Sequence, residues 1–339
     1  MGATSGEFVI VQLTGIGAHA VSVVAERLLS LDHVVWVATL LRKPLLYRRW
    51  PGPASPGTAC ENFTMQELST WPAHDRRRIT GVFTDIDDTL TTDGAITPDA
   101  LAALAALKAA GLDVIAITGR PVGWSLPFAL SWPVDAIVAE NGAVLLQFDD
   151  KKRLRPNKDG PEQLSKRYQQ DGATRAKNHA RMQQVATRVL REVPGTALAQ
   201  DSAGRETDMA IDHSEFTSLP PERIADVVRI MQGEGMNATV SSIHINGWYG
   251  THNKLQGARW AVRELLGRDL DAEIAKWVFI GDSTNDVLMF EAFPHSVGVA
   301  NVRRFEAQLA HRPRYITRGE RGAGFAEVAS TLLAARHRQ

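Results

Sequence analysis

The sequence predicts an α/β fold in which a parallel sheet with helices on its faces is interrupted by a second, smaller unit. Three observations carry this. Short, largely apolar runs over residues 79–84, 113–118, 136–139 and 277–280 read as strands buried on both faces of a sheet. A helix signal separates the first two runs, which makes a βαβ unit. Thr118 and Lys254 lie 136 positions apart, too far for a simple crossover, so a unit is inserted between them.

Composition narrows the function classes. The chain has 339 residues, 44% hydrophobic and 22% charged, a globular balance that excludes a disordered or fibrous chain. Lysine plus arginine (38) equals aspartate plus glutamate (38), so no bulk field draws it to nucleic acid or membrane, and neither is expected as a partner. Cys60 stands alone, which excludes an intramolecular disulfide framework and a thiolate zinc cluster and suits a reducing compartment. No apolar run reaches the ~20 residues of a membrane span. The residues before Phe8 lack the basic leader of a signal peptide. A soluble cytoplasmic protein is expected.

Residues 1–77 fall outside the predicted core, as an extension that is disordered or not native. Within it, Gly15-Ile16-Gly17-Ala18-His19-Ala20 follows a strand-like run and precedes a helix-like one, as at the start of a dinucleotide-binding fold. Leu40-Leu41-Arg42-Lys43 stand where an acidic residue would close that pattern, so the match reads as accidental. Pro51-Gly52-Pro53-Ala54-Ser55-Pro56-Gly57 is a linker composition. Met65 lies close before the core and reads as the true start, which would remove Cys60 as well.

From residue 78 each element has its own signal. The strand over 79–84 ends in Asp85-Ile86-Asp87-Asp88-Thr89. Thr97-Pro98-Asp99 supplies an N-cap, a proline at the first helical position and an early acid. Leu101, Leu104 and Leu107 line one side of the helix that follows, and Gly111 ends it. The strand over 113–118 finishes at Thr118-Gly119-Arg120, and a third strand over 136–139 meets Asn141-Gly142, a pair that favours a hairpin turn. Far along, Lys254 opens a helix, and the strand over 277–280 ends in Gly281-Asp282-Ser283-Thr284-Asn285-Asp286. A strand over 295–300, an edge strand over 314–317 and a helix ending near Arg336 complete the core.

Ligands of such sheets sit at the carboxyl ends of the strands, so Asp85, Thr118 and Asp282 are expected at one edge. Clustered carboxylates without histidine or cysteine suit a hard cation, and magnesium beside a phosphate is the usual case. A carboxylate can attack phosphorus, and a lysine and a hydroxyl can balance charge on the transferring group.

In these four motifs, Asp85-Ile86-Asp87-Asp88-Thr89, Ile117-Thr118-Gly119-Arg120, Lys254 and Gly281-Asp282-Ser283-Thr284-Asn285-Asp286, the chain resembles the haloacid dehalogenase-like phosphatases over residues 78–330. The resemblance implies a Rossmann-like parallel core, Mg2+ as cofactor and an aspartyl-phosphate intermediate. It makes Asp85 the nucleophile and, with the Asp87 backbone carbonyl and Asp282, a Mg2+ ligand. The Asp87 side chain would be the general acid toward the leaving alcohol, then the base for water. Thr118, Gly119 and Lys254 would hold phosphate, Asn285 would touch phosphate or substrate, and Asp286 would orient Lys254 or the metal's water. Arg120 would either contact substrate or form a structural ion pair, and Asp88 reads as a turn cap.

Residues 150–246 form the inserted unit. A polar, helix-prone stretch covers 161–192, strand-like segments follow near 196–200 and 205–212, and a helix spans 220–232. Strands over 237–242 and 243–248 close it. This αββ-αββ order resembles the mixed α+β cap (C2B type) of the sugar-phosphate phosphatase branch, subfamily IIB, with its Cof-type and sucrose-phosphatase-like members. Such a cap would exclude water and choose the leaving group. Asn246 and Trp248 are the candidate cap contacts, His244 reads as structural, and Lys151-Lys152-Arg153 with Arg155 reads as a solvated face. The core is then 78–149 and 247–335 around a cap at 150–246.

The expected activity is Mg2+-dependent hydrolysis of a small phosphorylated metabolite, a sugar phosphate by the cap type. A phosphomannomutase-like phosphosugar mutase shares this core and cap and stays open, as does a catalytically silent binding module. A nucleotide-cofactor protein built on the Gly15 segment is the remaining rival.

Overall fold

The computed structural model describes residues 10–11, 23–30, 33–40, 64–148 and 164–336. The chain divides into two units, Met1–Glu61 and Asn62–Gln339. In the first, β1 (Ile10–Val11), β2 (Val23–Ser30) and β3 (His33–Leu40) form an antiparallel sheet in that order, with Ser30 opposite His33. The helix-like reading after Gly17 is therefore corrected at residues 23–30, whose valines and leucines sit in a strand. The Gly15–Gly17 segment and the basic cluster at 151–155 lie outside the described residues.

The second unit begins with β4 (Gln66–Glu67), α1 (Ala73–Arg78) and β5 (Gly81–Thr84). A small ribbon, β6 (Thr91–Thr92) and β7 (Ala95–Ile96), leads into α2 (Pro98–Ala109), β8 (Asp113–Ile117) and α3 (Val122–Ser131). Then come β9 (Ala136–Ala139), β10 (Val144–Phe148) and β11 (Leu164–Tyr168). The inserted unit supplies α4 (Gly172–Glu192), β12 (Ala197–Leu198), β13 (Asp208–Asp212), α5 (Pro221–Gly233), β14 (Asn237–Val240) and β15 (His244–Trp248). The chain returns through α6 (Lys254–Leu266), α7 (Leu270–Glu273), β16 (Trp277–Gly281) and α8 (Val287–Ala292). It finishes with β17 (Ser296–Gly298), β18 (Tyr315–Ile316) and α9 (Arg321–Arg336).

Nine of these strands form one sheet in the order β11-β10-β9-β8-β5-β16-β17-β18-β4. All neighbours are parallel except β10, which runs antiparallel to both β9 and β11. Side chains alternate between the faces, as the period of a strand requires. Val82, Val114, Ala116, Val278 and Ile280 pack in the apolar cluster that also holds Leu104 of α2, Val122 of α3 and Phe325 of α9. Phe83, Ile115, Ile117, Trp277 and Phe279 enter the other, with Trp260 of α6 and Phe290 of α8. Burial on both faces is why these strands read as nearly unbroken apolar runs. The strand leaving β5 turns one way to β8 and β9, and the chain comes back on the other side at β16. That makes β5 and β16 the switch point of the sheet, where ligands of open α/β folds bind.

Four expectations change. The helix-prone reading of 161–192 gives way at Leu164–Tyr168 to a strand paired with β10, Val144 opposite Tyr168 and Phe148 opposite Leu164, so the inserted helix begins at Gly172. The strand at Tyr315–Ile316 is not at the edge, because β4 pairs beyond it. Leu68 and Trp71, from the expected extension, are buried in the core, and the Trp71 ring stacks on Tyr315 at 5.4 Å. In α2 the buried face is Ala100, Ala103, Leu104 and Leu107; Leu101 falls off that stripe and is 38% exposed.

The inserted unit has a sheet of its own, β12-β13-β15-β14, antiparallel throughout. Its apolar cluster joins Met182, Val185 and Val189 of α4, Val227, Ile230 and Met231 of α5, and Met209, Ile211 and Ile245 of the sheet.

Candidate active site

The turn after β9 sets the position of the lysine. Gly142 has φ +106°, and a Cβ there would lie 2.3 Å from the Asn253 carbonyl oxygen. A glycine is therefore needed where the β9–β10 turn meets the start of α6. Asn253 caps that helix by accepting from the Gln256 amide at 2.9 Å, and Lys254 is its first residue.

Three adjacent strands converge on this point. Asp85 follows β5, Thr118 follows β8 and Asp282 follows β16, as expected. Lys254 Nζ donates to Asp85 Oδ1 at 2.8 Å, to Asp286 Oδ1 at 2.7 Å and to Asn285 Oδ1 at 3.4 Å. The second Asp286 oxygen accepts from the backbone amides of Asp282 (3.0 Å) and Ser283 (3.2 Å), which fixes the loop after β16. Thr118 Oγ1 accepts from the Arg120 amide at 3.0 Å, so its hydroxyl proton remains free to donate.

Burial pushes the Asp85 carboxyl up to about 7; Asp286 and Asp87 add to the rise, and Lys254 opposes it. Burial works against the Lys254 charge, yet Asp286 and Asp85 hold the ammonium above the usual lysine range. Asp282 is raised well above the ordinary carboxylate range by burial, with Asp85, Asp286 and Asp88 adding to it. Asp85, Asp282 and Asp286 each bring a carboxylate oxygen within 4.8 Å of the others. Asp282 Oδ2 accepts from Asn301 Nδ2 at 3.1 Å, whereas Oδ1 is buried without a hydrogen-bond partner among the described residues. An orphaned carboxylate oxygen among crowded acids fits a hard divalent cation, which takes oxygen ligands and relieves their repulsion.

A family model described as haloacid dehalogenase-like hydrolase matches residues 82–170. That match runs from β5 to β11 of the core. Solved structures share its fold. One is a Thermoplasma acidophilum protein, with TM-score 0.55 and 17% identity over 75% of this chain and 98% of that one. The sucrose-phosphatase of Synechocystis sp., in complex with sucrose and phosphate, gives TM-score 0.52 and 14% identity, covering 76% and 98%. A HAD/COF-like hydrolase of Plasmodium vivax gives TM-score 0.54 and 13% identity, covering 78% and 99%. No curated protein matches the chain by sequence. Among the described residues, no helix is long and apolar enough to cross a membrane.

The remaining candidates belong to the seam between the core and the inserted unit. Arg120 takes the ion-pair role: Nε donates to Asp87 Oδ1 (2.9 Å) and Oδ2 (3.0 Å), and its other nitrogens reach Asp201 and Glu215 of the insert. Burial raises the Asp87 carboxyl above its ordinary range, and Arg120 opposes the rise. The Gly119 carbonyl accepts from Arg205 Nη1 (3.0 Å) and Asn246 Nδ2 (3.3 Å), so both Gly119 and Asn246 tie the insert to the core. Asn246 also donates to Asp208 Oδ2 at 3.1 Å. Trp248 donates from Nε1 to the His252 carbonyl at 2.8 Å and lines a cavity of about 280 Å3 beside Lys254 and Asn285.

Sequence reasoning missed several polar residues of this seam. Glu140 is fully buried and accepts from the amides of Val122 (3.0 Å), Glu206 (2.9 Å) and Thr207. Arg205 pairs with Asp201 and Asp208 and is itself buried. The available signal was charge where a buried strand calls for apolar residues, in Arg205-Glu206-Thr207-Asp208.

Proposed function

We propose that this chain is a Mg2+-dependent phosphatase acting on a small phosphorylated metabolite, most simply a sugar phosphate, through an aspartyl-phosphate. The carrying observation is Asp85, at the switch point of the sheet, bonded to Lys254 and crowded by Asp282 and Asp286. Asp85 and Asp282 would hold Mg2+, with the Asp87 carbonyl as a further ligand and Asp286 orienting Lys254 beside them, and the ion when bound would screen the charge between carboxylate and phosphate.

The residues of the chain supply the rest. A free oxygen of Asp85 attacks phosphorus as the bond to the substrate alcohol breaks. Asp87 gives its proton to the departing alkoxide, and Lys254 and the Thr118 hydroxyl hold the transferring oxygens. A water then attacks phosphorus while Asp87 takes its proton, the Asp85–phosphorus bond breaks, and inorganic phosphate and free Asp85 result. The insert acts as a cap, spanning residues 172–248 of the described structure.

The cavity beside Lys254 supports a neutral, hydroxylated leaving group. Asn237, Thr239, Trp248, His252 and Asn285 help line it, and Lys254 is the one formally charged side chain among its described lining residues. Amides and hydroxyls serve sugar hydroxyls and the indole face packs a ring. The structural likeness to sucrose-phosphatase supports the same reading.

Phosphate release from a panel of sugar monophosphates tests it, with Asp85→Asn as control. The variant should keep the wild-type melting temperature and lose turnover to background; full activity in it would end the assignment. Isomerised sugar phosphate in place of inorganic phosphate would favour the mutase.

A further inference from the structure

Arg120 is 4% exposed, and its guanidinium is shared between the core and the cap. On one edge Nε spans both oxygens of Asp87, and Nη2 lies 2.9 Å from Asp87 Oδ1. On the other, Nη2 donates to Glu215 Oε1 (2.8 Å), while Nη1 donates to Asp201 Oδ2 (3.2 Å) and lies 3.4 Å from Glu215 Oε2. A planar fork with five donors is well suited to fixing carboxylates on two edges at once. With those edges taken by protein carboxylates, Arg120 serves the core acid rather than the phosphate.

Both cap carboxylates are themselves held. Glu215 Oε2 is 2.8 Å from His244 Nε2, and the Glu215 and Phe216 amides donate to Asp212 at 2.9 Å each, anchoring the turn to β13. Asp201 Oδ1 accepts from Arg205 Nε (3.2 Å) and Nη2 (3.0 Å), and Arg205 continues to the Gly119 carbonyl beside Arg120. The cap thus presents two fixed carboxylates to one face of a buried arginine whose other face holds Asp87.

We propose that Glu215, supported by Asp201 and His244, is a positioning residue for phosphoryl transfer: it holds Arg120 so that Arg120 aims the Asp87 carboxyl at the leaving oxygen. The inference rests on the phosphatase reading. A pair that merely fastened the cap would affect all substrates alike. A positioning role for the acid shows itself in the leaving group instead. An alkoxide must be protonated as it departs, whereas 4-nitrophenolate is a weak base and leaves without a proton.

The test compares kcat/KM, which reports the steps through loss of the alcohol, for 4-nitrophenyl phosphate and for a hexose monophosphate that the wild type turns over. In Glu215→Gln, kcat/KM for the hexose phosphate should fall about 10- to 100-fold, a large part of a general acid's contribution. The ratio between the two substrates should rise by about tenfold or more in favour of the nitrophenyl ester. Glu215→Asp, which keeps the charge, should recover part of the difference. A ratio equal to the wild type's overturns the proposal, whether both activities fall together or neither falls. Should Glu215→Gln not fold, His244→Gln, which leaves Arg120 and its carboxylates in place, must shift the ratio in the same direction, and an unshifted ratio overturns the proposal equally. Wild-type protein that releases no phosphate from either substrate refutes the phosphatase reading itself.

Discussion

His252 should make the fold acid-sensitive in a window set by its burial. The ring is 4% exposed and faces the Trp248 indole at 5.7 Å between centroids, and its Nε2 is buried with no hydrogen-bond partner among the described residues. Burial alone pulls the imidazole down to about 4. A free histidine titrates near ~6.5, so the unfolded chain takes the proton first as pH falls. Stability from the neutral ring is therefore complete above about 6.5 and lost as the pH drops toward 4, for a total of about 3 kcal/mol. Between pH 7.5 and 5.5 the share lost is about 1.3 kcal/mol. Urea unfolding of wild type and His252→Asn at both values isolates it, because other groups that titrate in this range cancel in the difference. The stability gap between the two proteins should shrink by that amount at pH 5.5. A gap of the same size at both pH values would refute the reasoning.

Two other outcomes follow from the site. EDTA should abolish phosphate release and Mg2+ should restore it, since Asp282 Oδ1 has no partner among the described residues; undiminished turnover after exhaustive chelation would exclude the metal. Substrates whose leaving group carries a carboxylate or second phosphate should give kcat/KM at least about tenfold below that of neutral hexose monophosphates, because Lys254, the one cation among the cavity's described lining residues, is already committed to Asp85 and Asp286. A preference for the doubly anionic substrates in the same phosphate-release assay would overturn the neutral-pocket argument.

The strands that carry the candidate site were legible because each pairs an apolar run with a chemically distinctive end: Asp85 after β5, Thr118 after β8, Asp282 after β16. Local grammar of that kind survives without knowledge of the tertiary fold. The role of Arg120 was not decidable in the same way, since Glu215 stands 95 positions away and only folding brings the two together. Leu164–Tyr168 escaped notice for a different reason. Its Ser165-Lys166-Arg167 centre has no strand period, and the ladder to β10 supplies what the side chains do not. The two-residue strand at Gln66–Glu67 is exposed and too short to leave any pattern.

The seam between cap and core is spanned by polar contacts: Glu140 to the Glu206 and Thr207 amides, Gly119 to Arg205 and Asn246, Thr284 to the Val240 carbonyl, and the Arg120 cluster. The apolar cluster of the cap, meanwhile, is made of cap residues and Tyr249. Parting such a surface trades hydrogen bonds to protein for hydrogen bonds to water, at a net cost of about 1 kcal/mol for each neutral bond and about 1.5–3 kcal/mol for each bond to a charged group. Opening the seam would therefore wet polar groups and leave the apolar cluster of the cap closed.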